Sequence, residues 1–511
     1  MSDLRRTLPR TQGVSIARNT WVLIATIAAS SMVFIDGSVV TLALPQIQRQ
    51  FHASATAIAW IVELYTLVLG SLMLLGGALG DRYGRRRMFA SGTIVFALGS
   101  IGCAFAWSIP VMLVARIIQG LGGMLVAPAS LAIIGAHFSG EERGKAIAAW
   151  SAFGALTSTL GPMVGGLLID SLGWRSVFWI NIPLAAVVLY CSFVHIEESR
   201  DEDAPRELDY AGAALGTAGL GALTYALISS SQYRWTDFHV GGSAIAGIAL
   251  MVWFVLHEKD AKNPLVPAQL FNSRTFGSLN LMTLVVYGSL SGLFYEMPFA
   301  MIQVHGYTAI RTALATLPMT FGLVGLARFG TKLSQMCGMR EILTLGPSIV
   351  ACGFVLLALF SRNQSYWTSF FPGVLVIGIG MGITVAPLTT GVMNAADPRN
   401  IGVASGINSA VARTAGLIAI AAFTAVLYVT YQTRFHNDLD AIGASPSQRQ
   451  QAAAQADRLG GARYKDQRLQ KISYDAFNKG FEAVALSCAV LCFIGAAVSF
   501  MGIDNDALRR A

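Results

Sequence analysis

Fourteen stretches of this chain are apolar for about eighteen residues or more, and that repetition limits what it can fold into more than any other feature. They run approximately 21–44, 58–79, 88–107, 110–137, 146–170, 176–194, 211–230, 240–257, 276–304, 312–331, 341–360, 368–393, 401–428 and 479–502. A helix rising about 1.5 Å per residue needs roughly 20 apolar residues to cross about 30 Å of hydrocarbon, and most of these stretches reach that length. Inside a bilayer every backbone N–H and C=O must find its partner within the protein. The fold class expected is therefore all-α, an integral membrane protein of 14 spans.

Composition agrees. Of 511 residues, 54% are hydrophobic and 13% charged, with a mean hydropathy of +0.57, whereas soluble domains carry about 25% charged residues. The net charge of +8 does not point to nucleic acid, because the basic residues punctuate apolar runs instead of gathering on one face. Membrane lipid is the surrounding partner. Cysteines lie mostly inside apolar segments and read as packing residues, with no metal-ligand spacing. Gly144-Lys145 is followed by Ala146 and lacks the preceding glycine of a phosphate loop, which argues against ATP-driven transport. No loop is long enough to hide a catalytic domain, so neither an enzyme nor a cofactor is expected.

Lysine and arginine set the orientation. With the N-terminus inside, the cytoplasmic tails and loops carry 20 basic residues, against Arg49, Arg175, Arg234, Arg311 and Arg362 in the short outer loops. Both termini are thus expected in the cytoplasm. The organisation expected is a cytoplasmic tail over 1–20, a six-helix bundle over 21–194, a linker over 195–275 with two inserted helices (211–230 and 240–257), a second six-helix bundle over 276–502 and a tail over 503–511. The polar stretch 429–478 reads as an outer loop, partly helical.

Charge is concentrated in one turn, "GALGDRYGRRRMF" at 77–89. Its four arginines anchor the cytoplasmic side, but Asp81 sits just past a helix carbonyl terminus, which disfavours an anion. An acid there calls for a partner.

The string Gly77, Gly80, Asp81, Arg82, Gly84, Arg85, Arg86 resembles the loop signature of the major facilitator superfamily. Three further motifs agree in order. "ARIIQGLGG" (115–123) is similar to the family's fourth-helix motif, with Arg116, Gln119 and Gly120. "LGPMVGGLL" (160–168), with Gly161, Pro162, Gly165 and Gly166, resembles the fifth-helix motif of antiporters, and "FIDGSVVTLALP" (34–45) the first-helix motif of drug:proton antiporters. "GWRSVFWINIP", "LDYAG" and "ASGINSAVARTAG" resemble the 14-span branch, drug:proton antiporter family 2. The resemblance implies two bundles related by a pseudo-twofold axis along the membrane normal. It also implies a cytoplasmic latch between them, built on Asp81 and Arg85, and proton-driven efflux of amphipathic drugs by a monomer in a bacterial cytoplasmic membrane, with accessory export proteins as an option. The second-half counterpart, "GTKLSQMCGMR" (330–340), has Ser334 where the acid would fall, so the latch is expected to be asymmetric.

Charges inside the membrane are costly and therefore mark function. The candidates for proton coupling are Asp36, Glu63, Arg116 and Glu296, which lie at similar depth in the outer half and so are expected to share a cavity. Asp36 and Glu63 are expected to titrate, and Arg413 to pair between helices. Glu296 precedes Pro298, which can break a helix and expose its backbone to a cavity. A membrane potential supplies about 2.3 kcal/mol per charge per 100 mV. Trp60, Tyr65, Phe294 and Tyr295 are candidates for a pocket for flat or cationic substrates. An exporter of an endogenous metabolite, lipid or siderophore is the alternative, and a non-transporting receptor a weaker one.

Overall fold

The computed structural model describes residues 10–201, 207–363, 365–396 and 401–505. Residues 1–9 and 506–511 of the expected tails lie outside the described residues. The first half comprises α1 (Arg10–Phe51), α2 (Ala55–Ser71), α3 (Met73–Tyr83), α4 (Arg85–Ala104), α5 (Ile109–His137), α6 (Gly140–Leu172), α7 (Ser176–Trp179) and α8 (Asn181–Val194). Two further helices follow, α9 (Tyr210–Ser229) and α10 (Ser243–Asp260). The second half holds α11 (Arg274–Phe299), α12 (Ala309–Ala315), α13 (Leu317–Cys337), α14 (Met339–Phe360), α15 (Tyr366–Ser369), α16 (Phe371–Asn394), α17 (Ile401–Ala441), α18 (Pro446–Gln455) and α19 (Gln467–Gly502).

Thirteen helices among the described residues are long and apolar enough to cross a membrane, or fourteen if the bent pair α2 and α3 counts as one span. The span expected over 58–79 falls on that pair, which bends by 47° at Leu72. Large apolar side chains such as Leu98, Phe193, Ile245, Trp253, Phe321 and Leu359 are exposed on the perimeter, the distribution a lipid-facing surface requires and a water-facing one penalises.

The two halves repeat the same packing. In the first, α1 packs on α6 and α8, and α5 on α2 and α4; in the second, α11 packs on α17 and α19, and α16 on α13 and α14. Glycine makes these seams close. A Cβ on Gly99 of α4 would lie 2.5 Å from the Gln119 amide nitrogen, and one on Gly378 of α16 would lie 2.5 Å from the Met319 carbonyl oxygen. The repeat extends to the charged turn. Gly84 and Gly338 open α4 and α14 with φ of 111° and 108°, a region open in practice only to glycine. Two residues on, the Arg86 amide donates to Glu198 and the Arg340 amide to Asn505. Each acceptor follows the last helix of its own half.

Helices α9 and α10 pack on each other, and α9 lies against α2 and α17. Asp209 caps α9, accepting from the Gly212 amide at 2.8 Å and pairing with His257 of α10 at 2.8 Å. Burial pushes its carboxyl up, but these partners outweigh burial and hold it below the ordinary carboxylate range.

Two segments outside the expected spans carry helix. Residues 10–20 of the expected cytoplasmic tail form the first turns of α1, whose apolar span begins at Asn19. The stretch 429–478, read as a partly helical outer loop, holds the end of α17, which continues to Ala441, then α18 and a 3₁₀ turn (Ala456–Gly461), with α19 beginning at Gln467. Its aromatic positions explain this, because Tyr431 stacks on Phe435 and Phe435 on Tyr464, all three buried.

Candidate functional site

The helix pairs position one dense polar network inside the first half. Arg116 of α5 donates from Nη1 to Asp36 Oδ2 at 2.6 Å and to Gln119 Oε1 at 2.7 Å, and from Nε to the Ile61 carbonyl at 2.8 Å. Gln119, one turn after Arg116, donates to Asp36 Oδ1 at 2.7 Å and to Ser100 Oγ at 2.9 Å. The Arg116 guanidinium also lies 4.2 Å from the Tyr65 ring centroid. Asp36, Gln119 and Arg116 are all buried. A buried ion pair persists only when its remaining donors and acceptors are satisfied, and the Ile61 carbonyl and Gln119 supply those partners.

Glu63 is placed differently. It is fully buried on α2, and neither carboxyl oxygen has a hydrogen-bond partner among the described residues. Glu296 of α11 is buried and accepts from Thr424 Oγ1 of α17 at 3.1 Å. Glu296 directly follows Tyr295 in α11, and both are buried. Pro298 does not end α11, which continues into a π-helical turn over Ala300–Val304.

A cavity of about 700 Å³ lies between the halves, within the range of small-molecule sites. Gly37, Val62, Phe294, Tyr295, Pro162 and Arg413 border it. Asp36, Glu63, Arg116 and Glu296 do not, which corrects the expectation of one shared cavity. Adjacent residues on a helix point about 100° apart, so Gly37, Val62 and Tyr295 face the space while Asp36, Glu63 and Glu296 stand behind its wall. The aromatic pocket is corrected for the same reason. Phe294 and Tyr295 line the cavity, whereas Trp60 faces Tyr225 of α9 and Tyr65 lies beside Arg116. Arg413 was expected to pair between helices; it forms no ion pair among the described residues and borders the cavity near Gly70 of α2.

At one end the halves are joined. The carboxylate of Asp170, at the end of α6, accepts from the Ala309 amide at 3.0 Å and the Ile310 amide at 2.9 Å, the first residues of α12. One turn earlier, a Cβ on Gly166 would lie 2.8 Å from Ile310 Cα, and Gly165 packs on Val39 of α1. Gly161 lies against Ile35. Gln303 donates to Gln48 at 2.8 Å, Gln48 to the Arg458 carbonyl at 3.3 Å, and Arg49 to the Ile302 carbonyl at 3.4 Å.

At the Gly84 end, Asp81 pairs with Arg85 of its own turn, at 2.7 Å from Nη2 and 2.9 Å from Nε. Glu198 accepts from the Arg86 and Arg87 amides, and the Asp201 amide donates to the Asp81 carbonyl. Arg82 lies 5.0 Å from the Tyr83 ring, and Gly77 packs on Pro128. The Asp81 pair is thus closed within one half, not across the two. Asp170, Glu198, Gln48 and Gln303 were not singled out from the sequence, because each owes its role to a partner more than 100 residues away.

A membrane-embedded bundle with a repeated helix arrangement and a cavity between its halves defines a secondary transporter. The chain belongs to the Major Facilitator Superfamily, whose model matches residues 26–420. It is 33% identical over 431 residues to the multidrug resistance protein Stp of Mycobacterium tuberculosis, covering 84% of this chain and 79% of that protein. It is 31% identical over 413 residues to the puromycin resistance protein pur8 of Streptomyces alboniger, covering 80% and 82%, and 31% identical over 412 residues to the drug efflux pump JefA of M. tuberculosis, covering 79% of each. Its fold is that of a bacterial homologue of the human lysosomal transporter Spinster in an inward-facing, unoccupied conformation, with a TM-score of 0.71, 16% identity and coverage of 96% and 98%.

Proposed function

We propose that this protein is a proton-coupled efflux antiporter of amphipathic drugs or toxic compounds, working by alternating access as a monomer in a bacterial cytoplasmic membrane. The reading includes 14 spans with both termini cytoplasmic, in bundles over 21–194 and 276–502 with the inserted pair between them. The structure would then be the inward-facing state, sealed outside by α6 on α12 and by the Gln48–Gln303 contact.

The observation that carries proton coupling is the pair of buried carboxyls, Glu63 and Glu296, one in each half, each next in its helix to a residue of the cavity wall, Val62 and Tyr295. An ionised carboxylate there has no basic partner in the described protein, so a proton is the neutralising species at hand. Opening the outer seal would expose that wall to the other side, and loading and release of the proton would follow the side exposed. Asp36 is held by Arg116 and Gln119 and serves as the hinge of charge around which α1 and α5 stay joined. Drug efflux agrees with the names of the relatives, and the small-residue face of α6 with an antiporter. In the outward-open state the Asp81–Arg85 turn would meet the second half, as the family latch implies.

The test is gradient-driven export from energised cells, scored over a panel of amphipathic dyes and antibiotics of both charges, with and without an uncoupler. Uncoupler-sensitive export lost in Glu63→Gln or Glu296→Gln supports the reading; export that persists without a gradient overturns coupling.

A further inference from the structure

The cavity walls are rich in hydroxyls and poor in charge. Ser38, Thr66, Ser158 and Ser291 line it, and among the described lining residues Arg413 is the one that carries a charge, with no carboxylate facing it. The other intramembrane charges are committed elsewhere: Asp36 and Arg116 neutralise each other at 2.6 Å, and Glu63 and Glu296 lie behind the wall. Arg413 has neither an ion pair nor a hydrogen bond among the described residues. A guanidinium in a membrane interior without a counter-ion is a costly arrangement unless a ligand supplies one. Its planar fork of donors matches carboxylate, sulfonate and phosphate oxygens. Phe294 and Tyr287 border the same space and offer flat apolar surface to the rest of such a molecule.

We propose that the cavity selects amphipathic organic anions, with Arg413 as the group that receives the anionic head and the aromatic wall as the seat of the apolar body. This names the substrate class of the efflux reading above and rests on it for the direction of transport only. It runs against the lipophilic cations that buried acids would suggest, because those acids do not face the cavity.

Carboxyfluorescein and rhodamine 6G share a fused three-ring body and differ in charge, so their binding to the full-length protein in lipid nanodiscs separates charge from shape. Wild type is expected to bind the anionic dye more tightly than the cationic one. Arg413→Gln should weaken carboxyfluorescein binding about tenfold or more, the scale of a hydrogen bond to a charged group, while Arg413→Lys, which keeps the charge but loses the fork, should fall between the two. Ser409→Asp offers a second variant that leaves the arginine in place: Ser409 also lines the cavity, one turn before Arg413, and an acid there should neutralise it and give the same loss. Failure of the wild type to bind carboxyfluorescein, tighter binding of rhodamine 6G, or unchanged carboxyfluorescein binding in both folded variants overturns the proposal. Charge-selective binding without gradient-driven export of either dye would instead overturn the efflux reading and leave this one standing.

Discussion

The carboxylate of Asp170 and the amide of Ile310, 2.9 Å apart, join the two halves at the end of the molecule opposite Gly84. An anion at a helix N-terminus is stabilised by the unsatisfied amides and by the helix dipole, by about 0.3–1 kcal/mol near a surface. Asp170→Asn should therefore shift the population away from this closed state by roughly two- to fivefold. Accessibility of single cysteines placed in the cavity to an impermeant thiol reagent added from outside checks it, after the native cysteines are replaced; unchanged labelling would show that the contact does not hold the seal.

Gly166 predicts a larger effect. Its missing Cβ leaves room for the Ile310 backbone, and Gly166→Val would force α6 and α12 apart. Export should fall below detection while the protein still purifies as a folded monodisperse species. Wild-type export by this variant would mean that the seal tolerates a wider gap.

Asp36→Asn should destabilise strongly, since it leaves Arg116 buried with its charge uncompensated; removing one partner of such a pair costs about 3–5 kcal/mol. Arg116→Gln is expected to do the same, and the double variant to recover part of the loss. A thermal double-mutant cycle in detergent measures this coupling, and strict additivity would remove the case for an energetic pair.

Glu63 should behave in the opposite way. Its oxygens have no hydrogen-bond partner among the described residues, so Glu63→Gln is expected to keep or slightly raise the melting temperature. The pH dependence of export should flatten in the same variant. A large loss of stability would show that the carboxyl has a structural partner in the membrane-embedded protein.

Glu198 holds the charged turn from outside it, accepting from the amides of Arg86 and Arg87 at 3.0 and 3.2 Å. Glu198→Ala should cost about 1 kcal/mol, as loss of a helix cap usually does, and speed hydrogen exchange at the start of α4. Unaltered protection there would mean that Gly84 alone shapes the turn.

Much of this molecule was legible in its residues because its solvent is a bilayer. An apolar run of about 20 residues has one way to satisfy its backbone in hydrocarbon, so the spans, the membrane and the all-helical class follow locally. The turn at Gly84 was legible for a similar reason, since a positive φ needs glycine. What local sequence did not decide is which way each side chain faces once helices pack. Asp36 and Gly37 are neighbours in the chain, yet one is sealed against Arg116 and the other borders the cavity. Trp60 turned toward α9, Arg413 toward the cavity, and 429–478 folded onto its own aromatics. Periodicity places a residue on a helix face, but only packing of the other helices decides whether that face meets lipid, a buried partner or open space.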